Sequence, residues 1–231
     1  SHLNPDGDAI GSLIAMGLAL DTWNKKTTLY NESKIPTVYR FLPAVDRIVS
    51  KLEHSKPYDT VIILDCSNLK RIGSLSSAVE TGRSDTTPGS LFRNCQIVNI
   101  DHHVTNTYFG NFQLIDVSAC ATAEIICRLI KRMGIPINKA IATSIYTGIL
   151  TDTGSFRFSN TNKAAFEICD EMVASGVDPF YVAKNVYGTY SLGRIKLLNM
   201  ALDSIEISYN GRLSLMTVTR EMLDKTGTDA E

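Results

Sequence analysis

Two stretches of the chain are apolar without alternation: Val61-Ile62-Ile63-Leu64 inside 58–65, and Gln96-Ile97-Val98 leading into Asn99-Ile100-Asp101. Such runs predict strands buried on both faces, as in a parallel sheet covered by helices. Residues 27–31 predict a shorter strand, and 36–46 a loop with one helical turn. Elsewhere apolar residues recur at helical spacing. A helix rich in small residues runs from Asp8 to about Trp23. A second covers 121–133, with Ile125, Ile126, Leu129 and Ile130 on one side and Gly134 as its stop. A third is capped by Asn138, is apolar through Ile141, Ile145, Ile149 and Leu150, and ends just before Asp152. Helices over 162–174 and 179–187 are parted by Gly176, with Asn160 or Thr161 and Asp178 as caps, and another covers 191–202. From Asp203 the pattern turns to alternation around Asn210-Gly211, a hairpin signal that opens a second, β-containing domain. Strands alternating with helices predict an α/β fold.

Length and charge narrow the function classes. A chain of 231 residues can bury a full core. Its 23 Lys and Arg against 24 Asp and Glu leave a net charge of −1, with no broad electrostatic footprint for long nucleic acid or an anionic membrane. A small or locally held anionic substrate is compatible with that balance. Cys66, Cys95, Cys120, Cys127 and Cys169 form no CxxC pair and fall mostly in apolar segments. They predict reduced core residues of a cytosolic protein rather than a disulfide frame or a zinc site. No apolar run approaches the ~18–20 residues that span a bilayer, so a soluble protein is expected. The sequence opens on Ser1-His2 in the middle of a motif, with no Met, signal peptide or preceding strand, and the expectation is that the true N-terminus is missing. Residues 84–90, rich in Ser, Thr, Gly and Pro, read as a mobile insertion.

The candidate chemistry gathers at the ends of these elements. The chain has four histidines; His102 and His103 follow Asp101 directly at the end of a predicted strand, the edge where α/β proteins place their sites. His2 precedes the turn Pro5-Asp6-Gly7-Asp8, and His54 lies in a polar stretch and is assigned no role. Asp65 ends the other buried strand, and Asp152 follows a buried helix beside Gly154. Each residue alone has a plainer reading: paired loop histidines, Asp8 as a helix N-cap in a solvated Asp-Gly turn, Asp65 as another cap, Asp152 as a loop residue. Together, His2, Asp6, Asp8, Asp65, His102, His103 and Asp152 exceed the four-ligand shell of a structural zinc. They suit two divalent cations sharing a carboxylate. Mixed oxygen and imidazole donors point to two Mn²⁺, with Mg²⁺ as the alternative.

These segments resemble the DHH phosphoesterase family over nearly the whole chain. The family's first motif is matched by HLNPDGDAIGS at 2–12, the second by Asp65 with RIG at 71–73, the third by Asp101-His102-His103, and the fourth by Asp152 in TGILTDTGSF. TGSFRFSNT at 153–161 and YGTYSLGRIKLL at 187–198 resemble the branch of short-oligoribonucleotide exonucleases that also dephosphorylate adenosine 3',5'-bisphosphate. The resemblance implies a Rossmann-like parallel sheet flanked by helices over 1–187, a linker helix over 188–203, and the start of a smaller α/β substrate-binding domain over 204–231. It implies that His2, Asp6 and Asp65 hold one metal and that Asp8, Asp65, His102 and Asp152 hold the other, with Asp65 bridging. His103 then acts near the scissile phosphate and Asp101 orients the histidines.

The implied protein is a cytoplasmic Mn²⁺-dependent hydrolase of short RNA oligonucleotides and small nucleotides, without a membrane partner and with a homodimer as one assembly. Cyclic dinucleotides, linear dinucleotides and single-stranded DNA are the alternative substrates within the family. A catalytically dead metal-binding scaffold is the non-enzyme alternative. Two departures stand out: the sequence ends at Glu231 without the family's Gly-rich, His-containing motif, and Asn68 stands where an acidic residue is common.

Overall fold

The computed structural model describes residues 1–52, 57–82, 91–92, 94–188 and 191–228. His54 and the stretch 84–90 lie outside the described residues. The chain divides into two compact units, Ser1–Val182 and Ala183–Glu231.

In the first unit, β3 (Thr60–Leu64), β4 (Gln96–Asp101) and β5 (Phe112–Ile115) form a parallel sheet in the order β3-β4-β5. A separate parallel pair joins β1 (Leu29–Tyr30) to β2 (Ile48–Val49). The α/β class and the parallel sheet agree with the continuous apolar runs. β5 and β2 were not legible: β5 is a short edge strand whose Phe112 and Leu114 face solvent, and β2 pairs through only two residues. The register pairs Val61 with Ile97 and Ile63 with Asn99, so Ile97, Asn99 and Asp101 share one face of β4. On that face Ile63, Ile72, Val79, Phe92, Cys95 and Ile97 form a core cluster.

Helix α1 (Gly7–Thr22) packs chiefly on α4 (Lys139–Asp152) and then on α3 (Thr122–Arg132). Its small residues serve this approach: a Cβ on Gly11 would collide with the Ser144 carbonyl, so the two backbones meet where no side chain intervenes. An adjoining face of α1 presents Ile10 and Ile14 to Ile35, Leu42 and Val45. Helix α2 (Ser76–Gly82) follows a 3-10 segment over Leu69–Leu75. Asn68 caps that segment, its Oδ1 accepting from the Lys70 amide at 2.9 Å, which gives this residue a structural role. Helix α5 (Lys163–Ala174) starts later than its sequence suggests, because Asn162 rather than Asn160 or Thr161 is its cap. The first unit ends within α6 (Pro179–Tyr187), where Asp178 accepts from the Tyr181 amide.

The second unit holds α7 (Leu192–Asp203), an antiparallel hairpin of β6 (Glu206–Ser208) and β7 (Leu213–Leu215), and α8 (Arg220–Thr226). Asn210-Gly211 is the centre of the hairpin's four-residue turn 209–212, with both residues at positive φ. Helix α8 was not foreseen. Among the described residues no helix is long and apolar enough to cross a membrane.

Candidate metal centre

Four elements deliver the candidate ligands to one place. Asp6 is the N-cap of α1, its Oδ1 accepting from the amides of Asp8 and Ala9 at 3.0 Å. Asp8 is therefore not the cap. It lies in the first turn, fully buried, and its carboxylate crosses to the start of α3, accepting from the amides of Thr122 at 2.6 Å and Ala123 at 2.8 Å. The positive end of that helix offsets the buried charge. Asp65 follows β3 at φ 54, a left-handed conformation that Asp tolerates better than most residues, and its carboxylate is buried. Asp101 ends β4 and His102 and His103 follow it; Asp152 is the last residue of α4 rather than part of the loop after it.

Ligand-type atoms lie within 4.8 Å of one another in three groups: His2, Asp6 and Asp65; Asp8, His102 and Asp152; and Asp65, His102 and His103. The seven residues singled out from the sequence thus meet, with Asp65 common to two groups. His2 Nε2 is 3.4 Å from Asp65 Oδ2, and His102 Nε2 is 3.5 Å from Asp152 Oδ2 and 3.8 Å from Asp65 Oδ1. Both of these imidazoles place Nδ1 on a backbone carbonyl, His2 on Leu3 at 2.7 Å and His102 on Ala119 at 3.3 Å. A carbonyl only accepts, so a proton is assigned to Nδ1, and Nε2 is the nitrogen turned toward the carboxylates, the one a metal would take in place of a proton. His103 is arranged differently. Its Nδ1 lies 2.7 Å from Asp101 Oδ1, and its side chain reaches solvent.

The electrostatics of the cluster suit a cation. Burial, with Asp65, Asp152 and Asp6 nearby, pushes the Asp8 carboxyl well above its ordinary range. Burial likewise drives Asp152 up to about 6, the pull of His102 being outweighed with Asp65 and Asp6 adding to the rise. Asp65 is buried too, but the imidazoles of His2, His103 and His102 overcome that and hold it low. Crowded carboxylates that would protonate on their own are what a divalent cation relieves. His102 Nε2 is buried without a hydrogen-bond partner, an unmet acceptor aimed between two carboxylates. Donor set, tautomers and this orphaned nitrogen all fit a bound divalent metal.

The family model for the DHH family, N-terminal domain, matches residues 1–149. The chain belongs to the DHH family. It is 35% identical over 177 residues to the bifunctional oligoribonuclease and PAP phosphatase NrnA of Thermus thermophilus, covering 77% of this chain and 49% of that protein. The NrnA of Bacillus subtilis is 27% identical over 99% of this chain and 68% of its own length. The chain thus spans about half to two thirds of these relatives. Among solved structures, an exopolyphosphatase-related protein from Bacteroides fragilis superposes with a TM-score of 0.84 at 28% identity, over 99% of this chain and 67% of that one.

Within this DHH domain, three polar residues contact the site that sequence reasoning did not assign to it. Asn106 Nδ2 donates to Asp101 Oδ2 at 2.6 Å, and its Oδ1 accepts from Asn99 Nδ2 at 3.1 Å and from the Tyr108 amide at 2.7 Å. Asn160 Nδ2 lies 3.2 Å from Asp152 Oδ2 and 2.9 Å from the Cys120 carbonyl. Thr122 touches both Asp8 and Asp65. Thr122, between Ala121 and Ala123, is a polar residue in a small-residue segment, whereas Asn106 and Asn160 lie in polar stretches that carry no such signal. The five cysteines are buried thiols outside any disulfide.

Proposed function

We propose that this DHH domain is the catalytic part of a hydrolase that uses two Mn²⁺ to cleave short oligoribonucleotides to 5'-mononucleotides and adenosine 3',5'-bisphosphate to AMP. The observation that carries the reading is the convergence of His2 and Asp6 on Asp65 and of Asp8 and Asp152 on His102, itself grouped with Asp65, with Nε2 of both imidazoles turned inward. The names of the two NrnA relatives support the substrate class. His2, Asp6 and Asp65 would hold one cation; Asp8, Asp65, His102 and Asp152 would hold the other. Bound there, divalent cations supply Lewis-acid polarisation of the phosphoryl group and a water acidic enough to act as nucleophile near neutral pH.

The chain's own residues handle the proton. Asp101 accepts from His103 Nδ1, and Asn106 fixes Asp101 through its second oxygen. That leaves His103 Nε2 as the group that carries a proton to the leaving oxygen as the P–O bond breaks. The second unit, with its hairpin and the exposed apolar residues of α7, reads as belonging to a domain that holds the substrate in line. Five buried thiols outside any disulfide fit a cytoplasmic protein.

Mn²⁺-loaded full-length protein offered pApA, adenosine 3',5'-bisphosphate, cyclic di-AMP and a twenty-nucleotide RNA tests the reading. AMP from the first two, with sharp slowing on the long strand, is the expected result, since a net charge of −1 offers no extended basic track. Preference for cyclic di-AMP, or a rate level to twenty nucleotides, moves the protein to another branch of the family. Metal uptake without hydrolysis of any substrate makes it a scaffold.

A further inference from the structure

We propose that Thr122 is a positioning residue that locks Asp8 and Asp65, carboxylates from two different elements, into the mutual orientation a shared metal centre requires. Thr122 is the first residue of α3 and is fully buried. Its amide donates to Asp8 Oδ2 at 2.6 Å, while its hydroxyl donates to Asp65 Oδ1 at 3.0 Å. The following amide, of Ala123, donates to the other Asp8 oxygen at 2.8 Å. A carboxylate has about four lone-pair sites. The start of α3 occupies one on each oxygen of Asp8 and one on Asp65 Oδ1; the Ser12 hydroxyl, 3.2 Å from Asp8 Oδ1, takes one more, and sites on Asp8 Oδ2 and on Asp65 stay available to cations.

The side-chain bond matters more than its length suggests. Asp65 sits just past β3 in a left-handed conformation, and among the described residues the contacts of its carboxylate at hydrogen-bond or ion-pair distance are with imidazoles and this hydroxyl. His2 and His102, with Nε2 turned to a cation, no longer hold the carboxylate, and His103 stays 3.7 Å away, so the Thr122 hydroxyl is the side-chain hydrogen bond that survives metal binding. Outer partners that orient a ligand are typically worth ~10- to 100-fold in metal affinity. The bonds from α3 to Asp8 come from backbone amides, so substitution of Thr122 isolates its effect on Asp65.

The proposal rests on the two-metal reading, and isothermal titration with Mn²⁺ alone separates the two. Thr122→Val keeps the shape and removes the hydroxyl; Thr122→Ser keeps the hydroxyl and removes the methyl; Thr122→Ala differs from Ser in the hydroxyl alone. Val and Ala are expected to bind Mn²⁺ roughly 10- to 100-fold more weakly than wild type, with Ser staying close to wild type. Should Val fail to fold by circular dichroism, the Ser and Ala pair decides. Ala binding as tightly as wild type overturns the proposal and leaves the metal reading standing. Ser as weak as Ala also overturns it, because the loss is then one of packing. A wild-type protein that takes up no Mn²⁺ overturns both.

Discussion

Asp65 is where the two halves of the site meet, His2 Nε2 lying 3.4 Å from one of its oxygens and His102 Nε2 3.8 Å from the other. Replacing it with Asn removes a charge from both halves at once. Asp65→Asn is expected to abolish hydrolysis and to lower Mn²⁺ stoichiometry, whereas Asp101→Asn, which acts through His103, should lose roughly 10- to 100-fold and keep its metal. Stoichiometry near two in the Asp65 variant would remove the bridging assignment. The ligand residues were legible because charge and imidazole are scarce at the ends of apolar runs, so their placement is informative. Thr122, Asn106 and Asn160 were not, because their roles depend on partners that only the tertiary fold supplies: Thr122 and Asp8 are 114 positions apart.

At the scale of elements, the crossing of α1 and α4 sets how close Asp8 comes to the rest. A Cβ added at Gly148 would lie 2.8 Å from Asp8 Oδ1 and 2.6 Å from the Ala123 Cβ. Helix propensity favours Ala over Gly by ~1 kcal/mol, but overpacking costs ~1–3 kcal/mol. Gly148→Ala is therefore expected to lower the urea midpoint and to weaken Mn²⁺ binding together; a stabilised variant with unchanged metal affinity would show that the crossing is slack.

Between β5 and α3, Asp116 accepts from the Ser118 hydroxyl at 2.6 Å and from Arg128 at 2.5 Å, and these contacts hold its carboxyl at about 2. A carboxyl depressed in the folded state contributes stability above its unfolded value of 3.8, lost as pH falls toward 2. Acid titration of unfolding over that window should be flatter in Asp116→Asn than in wild type, and parallel curves would contradict the assignment. Of the elements, the long helices were legible from periodicity, and β3 and β4 from continuous apolar runs. Helix α8 and strands β2 and β5 were too short for a periodic signal, and the Asn162 cap was displaced because Asn160 turns to Asp152.

For the whole molecule, all seven candidate ligand and proton-transfer residues, His2 to Asp152, fall in the unit Ser1–Val182. A chain ended after Val182 is expected to match the metal stoichiometry of the 231-residue chain while losing turnover on a dinucleotide, since positioning alone supplies ~7–11 kcal/mol of barrier reduction. Equal turnover would show that residues 183–231 do not help to hold the substrate.

A crystal of the protein soaked in Mn²⁺ and measured at the manganese absorption edge locates the metal itself. Two anomalous peaks ~3.5–4 Å apart are expected, one on each side of the Asp65 carboxylate. The first should lie against His2 and Asp6, the second against Asp8, His102 and Asp152. A single peak, or peaks that leave Asp65 uncoordinated, would contradict the bridged two-metal centre.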